Sequence, residues 1–209
     1  TDIYSCYACF KKSLISNENL KTDGFEQHAE ILCKVVKNGK KFAQIAKTFG
    51  LEVIGVSDVT GHPEIFDGRV KSLHPAIHGP LLARLETEKD QQGLKELNYP
   101  PIQIVACNLY PFSDAAKQEP KLADPALLEM IDIGGHSLIR AAIKNYSKTI
   151  PIVSPSDYKK IIRKLPKSIN EKKKYAITAL QHITQYDIAI TNWFQGIKTD
   201  EYPLRYGEN

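Results

Sequence analysis

The chain is 209 residues long, with 42% hydrophobic and 25% charged residues. That is an ordinary balance for a soluble globular protein, and the length is enough to bury a sizeable core in one domain with a helical extension. A net charge of +4 is too mild to argue for nucleic acid and suits a small anionic ligand such as a phosphate ester equally well. No apolar run approaches the length of a membrane span, and no basic stretch followed by an apolar one opens the chain. No membrane association is therefore expected, and a reducing cytoplasmic compartment with free thiols is.

In chain order, residues 3–10 are a weak candidate for a first strand. Within them Cys6 and Cys9 have two residues between them, but no second such pair follows, so no structural zinc is expected. Residues 25–36 read equally as a helical face (Phe25, Ala29, Leu32, Cys33, Val36) or as a short strand over 31–36. A helix is expected over 39–49. Three short apolar runs, 51–56, 102–107 and 149–153, are rich in β-branched residues and bounded by turn residues, which predicts buried strands. Helical spacing is read between them over 86–97 and 136–145. Strands alternating with helices predict an α/β fold, a mostly parallel sheet flanked by helices, with ligands beyond the carboxyl ends of the strands.

The last third changes character. A helix is expected over 156–164, with Ser156 and Asp157 accepting its first amide hydrogens. A long helix follows over 170–194, with Ala176, Leu180, Ile183, Asp187 and Ile190 at helical spacing. Eight basic residues lie between Lys159 and Lys174, read as a solvated face because no aromatics interleave with them as a stacking platform requires. The expected division is an α/β domain over 1–155 and a helical extension with the start of a linker over 156–209.

Three polar segments stand where such a fold concentrates function. The first, Ser57-Asp58-Val59-Thr60-Gly61-His62-Pro63-Glu64 and on through Asp67-Gly68-Arg69-Val70-Lys71-Ser72-Leu73-His74-Pro75, follows a predicted strand and is too rich in Gly, Pro and polar residues for a helix. Arg69 and Lys71 alternate, so extended backbone projects both to one side. Two such cations suit a phosphate, a carboxamide oxygen or a developing oxyanion, or are simply solvated. The second is Cys107-Asn108-Leu109-Tyr110-Pro111-Phe112. Asn108 can donate and accept towards an amide or purine-like edge, and Tyr110 offers a ring and a hydroxyl; the alternative is a strand-ending Asn and a core Tyr. The third, Ile131-Asp132-Ile133-Gly134-Gly135-His136, permits close backbone approach at a helix start, where free amides favour an anion. Lys144 lies roughly 13 Å along that helix and shares a face with Arg140. His74 and His78 have the spacing of a helical metal pair, but Pro75 and Gly79-Pro80 are expected to interrupt any helix there, leaving hydrogen-bonded structural histidines.

Together Gly68-Arg69-Val70-Lys71-Ser72-Leu73-His74-Pro75, Asn108-Leu109-Tyr110-Pro111-Phe112 and Ile131-Asp132-Ile133-Gly134-Gly135 resemble the IMP cyclohydrolase domain of the bifunctional AICAR formyltransferase/IMP cyclohydrolase family. Arg140-Ala141-Ala142 through Lys144-Asn145, Gln185-Tyr186-Asp187 and Leu204-Arg205-Tyr206-Gly207-Glu208-Asn209 continue the resemblance. It implies a methylglyoxal-synthase-like fold, closure of formyl-AICAR to IMP with loss of water, no metal or organic cofactor, a homodimer, and a parent chain fused to a transformylase domain. Transformylase activity itself is not expected of this chain, since no length remains to bind folate. By the same resemblance Lys71 and Arg69, with the Val70 and Ser72 backbone, would stabilise oxygen charge at the reacting centre. Asp132 would take the carboxamide proton, and Lys144 would donate or relay protons during dehydration. Tyr110, Cys107 through its backbone, and Asn108 would hold the base, with Ile133, Gly134 and Gly135 also at the substrate.

The first fifty residues depart from the family. In place of Ser-x-Ser-Asp-Lys-Thr-Gly stands Tyr7-Ala8-Cys9-Phe10-Lys11-Lys12-Ser13, which offers Lys11 or Lys12 but lacks the rest. In place of a Ser/Thr-Gly-Gly-Thr phosphate cradle stands Lys34-Val35-Val36-Lys37-Asn38-Gly39-Lys40-Lys41, where Asn38-Gly39 can turn and the four lysines, Lys40 among them, can attract phosphate as point charges, without the hydroxyl donors. Either a basic loop replaces the cradle, the preferred reading, or the domain binds purine monophosphate and catalyses weakly. A methylglyoxal-synthase-like lyase would share the fold.

Overall fold

The computed structural model describes residues 7–9, 54–117 and 124–197. The expectations at 10–53, including Lys11, Asn38, Gly39, Lys40 and the helix over 39–49, and those at 198–209, lie outside the described residues.

Two of the apolar runs form the expected strands, trimmed at their ends: β2 (Ile104–Cys107) and β3 (Ile150–Ile152), paired in parallel with Ile104 opposite Ile150. β1 (Tyr7–Cys9) lies on the other side of β2 and runs antiparallel to it, Tyr7 opposite Cys107. The sheet described, β1-β2-β3, therefore has one parallel and one antiparallel pairing rather than a mostly parallel set.

The alternation of side chains along β2 divides the core. Val105 and Cys107 join a cluster with Leu81, Phe112, Leu138, Ile139, Ala179 and Ile183, whereas Ile104 and Ala106 face Ile150, Ile152 and Ile161. Both sheet faces are thus apolar and helix-covered, as continuous hydrophobic strands require.

The helices correct the sequence in instructive places. Residues 51–56 are not one strand: Ile54 and Gly55 are irregular and Val56 opens α1 (Val56–Thr60), while 51–53 lie outside the described residues. The segment read as too polar for a helix forms this turn because the Asp58 carboxylate accepts from Gly55 N–H (3.1 Å) and Gly61 closes it in the left-handed region (φ 63°), a conformation glycine adopts at little cost. Likewise α2 (Pro75–Leu82) runs through the prolines expected to break it. Pro75 occupies the first helical position, where its missing N–H is no loss, and Pro80 is buried in the core. His74 caps the helix, its Nδ1 accepting from Ala76 N–H (3.1 Å).

Four helices follow close to expectation: α3 (Glu88–Glu96), α6 (Ile133–Lys144), α7 (Pro155–Arg163) and α8 (Ile169–Phe194), with short α4 (Phe112–Ala116) and α5 (Asp124–Leu128) between β2 and α6. The cap of α7 is Ser154, not Ser156 or Asp157, because Pro155 takes the first helical position. α8 opens with a reciprocal Ser168–Glu171 capping box, and it buries Ala176, Ala179, Ile183 and Tyr186, leaving Leu180 41% exposed. Its inner face is thus rotated from the one read in the sequence. No described helix is long and apolar enough to cross a membrane.

Candidate active site

The carboxyl end of β2 meets the amino end of α6, and a buried carboxylate, a thiol and a tyrosine hydroxyl gather there. Asp132 caps α6: its Oδ1 accepts from Gly135 N–H at 2.7 Å, and the residue is 5% exposed. A carboxylate at this position satisfies a free helix amide and is favoured by the helix dipole. Gly135 has to be glycine. A Cβ there would stand 2.6 Å from Asp132 Oδ2 and 2.9 Å from the Sγ of the fully buried Cys107.

Tyr186, from the middle of α8, completes the corner. Its hydroxyl accepts from Asp132 N–H (2.7 Å) and donates to the Met130 carbonyl (2.6 Å). Burial first, then the nearby negative groups Asp132 and Asp187, push its ionisation well above the usual tyrosine range, although the Asp132 amide opposes this. The hydroxyl therefore keeps its proton. The adjacent His136 Nε2 meets the Asp187 carboxylate at 3.1 Å, and Phe112 packs edge-on against both Tyr186 and Trp193.

The Arg69–Lys71 segment is the return arm of a tight hairpin. Ile65 and Val70 pair as an antiparallel bridge, and Asp67 and Gly68 at its tip have φ of 54° and 88°, values that an Asp-Gly pair tolerates in a reversed turn. Arg69 reaches Glu129 at 3.5 Å, three residues before Asp132, and Lys71 meets Glu64 at 2.6 Å. The two cations are thus held by carboxylates from different segments. Ser72 beside them is buried, its carbonyl accepting from His74 N–H.

Asn108 turns inward. Its amide donates to the Val153 carbonyl (2.9 Å) and its oxygen accepts from the Tyr158 hydroxyl (2.6 Å), tying β2 to the chain after β3 and to α7. Tyr110 is half-buried and close enough to add to the electrostatic load on Tyr186. Ile133 is 57% exposed at the first turn of α6, with Gly134 half-buried beside it.

The structure therefore brings Cys107, Asp132, Ile133, Gly134 and Gly135 together, and the Arg69–Glu129 contact carries the hairpin to the same end of α6. It does not bring Lys144 there. Lys144 is exposed and ends α6, about 18 Å along the helix axis from Asp132. The sequence singled out neither Glu64 nor Glu129, and it noted Tyr186 only within a family motif; the spacing of Tyr186 from Ala176, Ala179 and Ile183 was the available signal.

His78 and His182 have buried Nε2 atoms with no hydrogen-bond partner among the described residues, and burial lowers the pKa of both. His78 is therefore not the hydrogen-bonded histidine expected, although His74 is. Among the described residues no group of three His, Cys, Asp or Glu side chains could hold a metal ion. The basic run contributes Lys160, Lys164 and Lys174 to an open groove of about 310 Å³, where Lys160 already pairs with Asp157 at 2.8 Å.

The fold and this corner define an α/β protein with a capped, buried carboxylate at a strand's carboxyl end. The crystal structure of ForH has a similar architecture: TM-score 0.64 and 28% identity, over 84% of this chain and 93% of that one. The family model described as AICARFT/IMPCHase bienzyme matches residues 142–209. The bifunctional purine biosynthesis protein of Dictyostelium discoideum is 42% identical over 77% of this chain and 37% of its own length. That of Thermoanaerobacter sp. strain X514 is 38% identical over 95% and 42%, and that of Aquifex aeolicus 39% over 80% and 36%. The chain belongs to the AICARFT/IMPCHase bienzyme family, and it spans about two fifths of the length of these curated relatives.

Proposed function

We propose that this chain is the IMP cyclohydrolase part of that family, closing formyl-AICAR to IMP with loss of water. The observation that carries the proposal is the Asp132 corner: a buried carboxylate, fixed by a helix amide, at the sheet end where α/β proteins bind ligands. Both reacting groups belong to one substrate molecule, so the protein chiefly holds a near-attack geometry and moves protons.

In the proposed reaction the Asp132 carboxylate takes a proton from the carboxamide nitrogen as that nitrogen attacks the formyl carbon. Arg69 and Lys71 turn from Glu129 and Glu64 to the oxygen that gains negative charge. The exposed first turn of α6, from Ile133 to Gly135, and the half-buried Tyr110 ring offer a surface for the base. Asn108 fits a supporting part, since both ends of its amide are engaged within the protein. Dehydration then removes the former formyl oxygen as water. Lys144 is proposed to relay protons to this step through solvent, because the length of α6 separates it from Asp132. Its direct share in catalysis is accordingly smaller than that of Lys71.

The same reading takes the fold as methylglyoxal-synthase-like, with the α/β domain ending near residue 155. It takes the working protein as a cytoplasmic homodimer fused to a transformylase domain; the relatives, which are bifunctional proteins more than twice this length, support the fusion. Formation of IMP from formyl-AICAR by the purified full chain tests the proposal. Purine monophosphate binding in calorimetry without turnover would instead support the weakened domain, a reading favoured by the missing hydroxyl donors in Lys34–Lys41.

A further inference from the structure

We infer that Tyr186 is a positioning residue for ring closure, acting through Asp132. The inference rests on the proposed role of Asp132 as the base. Tyr186 comes from α8, 54 residues along the chain from Asp132, yet its hydroxyl lies between two backbone groups of the loop that presents the carboxylate. It accepts from the Asp132 amide and donates to the Met130 carbonyl, at 2.7 and 2.6 Å. These bonds fix the backbone on either side of Ile131, so that the residue leading into α6 enters it in one orientation. On the other side of Asp132, its Oδ1 accepts from Gly135 N–H, and Cys107 Sγ and the carboxylate close over Gly135. The carboxylate is thereby held at its backbone by α8 and at its side chain by α6.

A tyrosine serves here because one hydroxyl can accept and donate at once, and its ring fills the core against Phe112. Phenylalanine would keep that ring and leave a buried amide and a part-buried carbonyl without their partner. The Met130–Asp132 loop would then relax, and a displacement on the order of 1 Å at a catalytic group costs up to about 100-fold in rate. The helical extension is therefore part of the site's framework: α8 supplies the hydroxyl, while Asp187 and Trp193 on the same helix meet His136 and Phe112.

The test compares Tyr186→Phe, Asp132→Asn and the double variant in the full chain, reading kcat and KM for formyl-AICAR. Tyr186→Phe is expected to lower kcat by roughly 10- to 100-fold with KM nearly unchanged, and to add little to the loss caused by Asp132→Asn. Ile183→Val, on the same buried face of α8, should lower thermal stability while leaving kcat alone, which separates positioning from general support. A wild-type kcat in Tyr186→Phe, beside a crippled Asp132→Asn, would overturn the inference and spare the reading of Asp132. Fully multiplicative losses would also overturn it. A fully active Asp132→Asn would overturn the reading of Asp132, and the inference with it. Independently of any variant, the Asp132 amide should exchange with solvent slowly in the wild-type chain; exchange as fast as in an open loop contradicts the bond.

Discussion

The Asp132 corner and the Arg69–Lys71 hairpin adjoin each other but are built on opposite principles. Asp132 is 5% exposed and held by bonds of 2.7 Å at both its amide and its carboxylate. Arg69 and Glu129 have side chains more than 60% exposed and meet at 3.5 Å, a kind of ion pair worth about 0–1 kcal/mol. The corner is preorganised from the core, whereas the hairpin is adaptable. A base must stand at one place relative to a nitrogen it deprotonates, while cations answering a developing oxyanion can swap a weak carboxylate partner for a substrate oxygen.

The sharpest way to break this contrast is Gly135→Ala. The added methyl would stand within 3 Å of both the Asp132 carboxylate and Cys107 Sγ, so stability should fall by about 1–3 kcal/mol and ring closure should fall with it. Unchanged melting and turnover would show that the corner is looser than described. Lys71→Ala should lower kcat markedly, yet change stability by less than about 0.5 kcal/mol, as its half-exposed pair with Glu64 implies. A large loss of stability would make Lys71 a structural residue. Lys144→Ala should cost less activity than Lys71→Ala, and the reverse order would return direct catalysis to the far end of α6. Glu129→Gln should lower KM slightly by releasing Arg69, an effect that 0.5 M salt should erase.

A smaller effect concerns pH. Burial depresses the pKa of His78 and His182 in the folded chain below the ordinary value of 6.5. Above that value both are neutral, folded or unfolded. As pH falls below it, the unfolded chain binds protons that the folded chain resists, so stability falls and then levels off once the folded pKa values are passed. Melting temperature should therefore drop between pH 7.5 and 5.5, and by less in His182→Gln. An equal drop in that variant would assign the effect to other groups.

Much of this organisation was legible in the sequence where one physical signal dominated. β2 and β3 are apolar runs long enough for one strand each, and α6 and α8 carry helical spacing along most of their length. The helices α1 and α2 were not legible. Their helicity depends on where Pro75 and Gly61 fall relative to the ends, and composition alone reads those residues as breakers. The antiparallel setting of β1 is a pairing choice that no local pattern encodes. At the site, the residue types were readable but their partners were not. The residue types leave Asn108 open between facing a ligand and ending a strand, and its amide joins Val153 and Tyr158, the latter 50 residues away. Tyr186 stands in the sequence only within the Gln185-Tyr186-Asp187 motif, and packing across 54 residues brings its hydroxyl to Asp132.

The central claim is that the buried Asp132 carboxylate removes the proton that allows ring closure. Single-turnover formation of IMP from formyl-AICAR, followed in the wild-type full chain and in Asp132→Asn, tests it most directly. Asparagine is similar in shape and can still cap α6, so the fold should persist. The account predicts a loss of on the order of 100-fold or more in the chemical step, with substrate affinity nearly unchanged. A chemical step at the wild-type rate would contradict it.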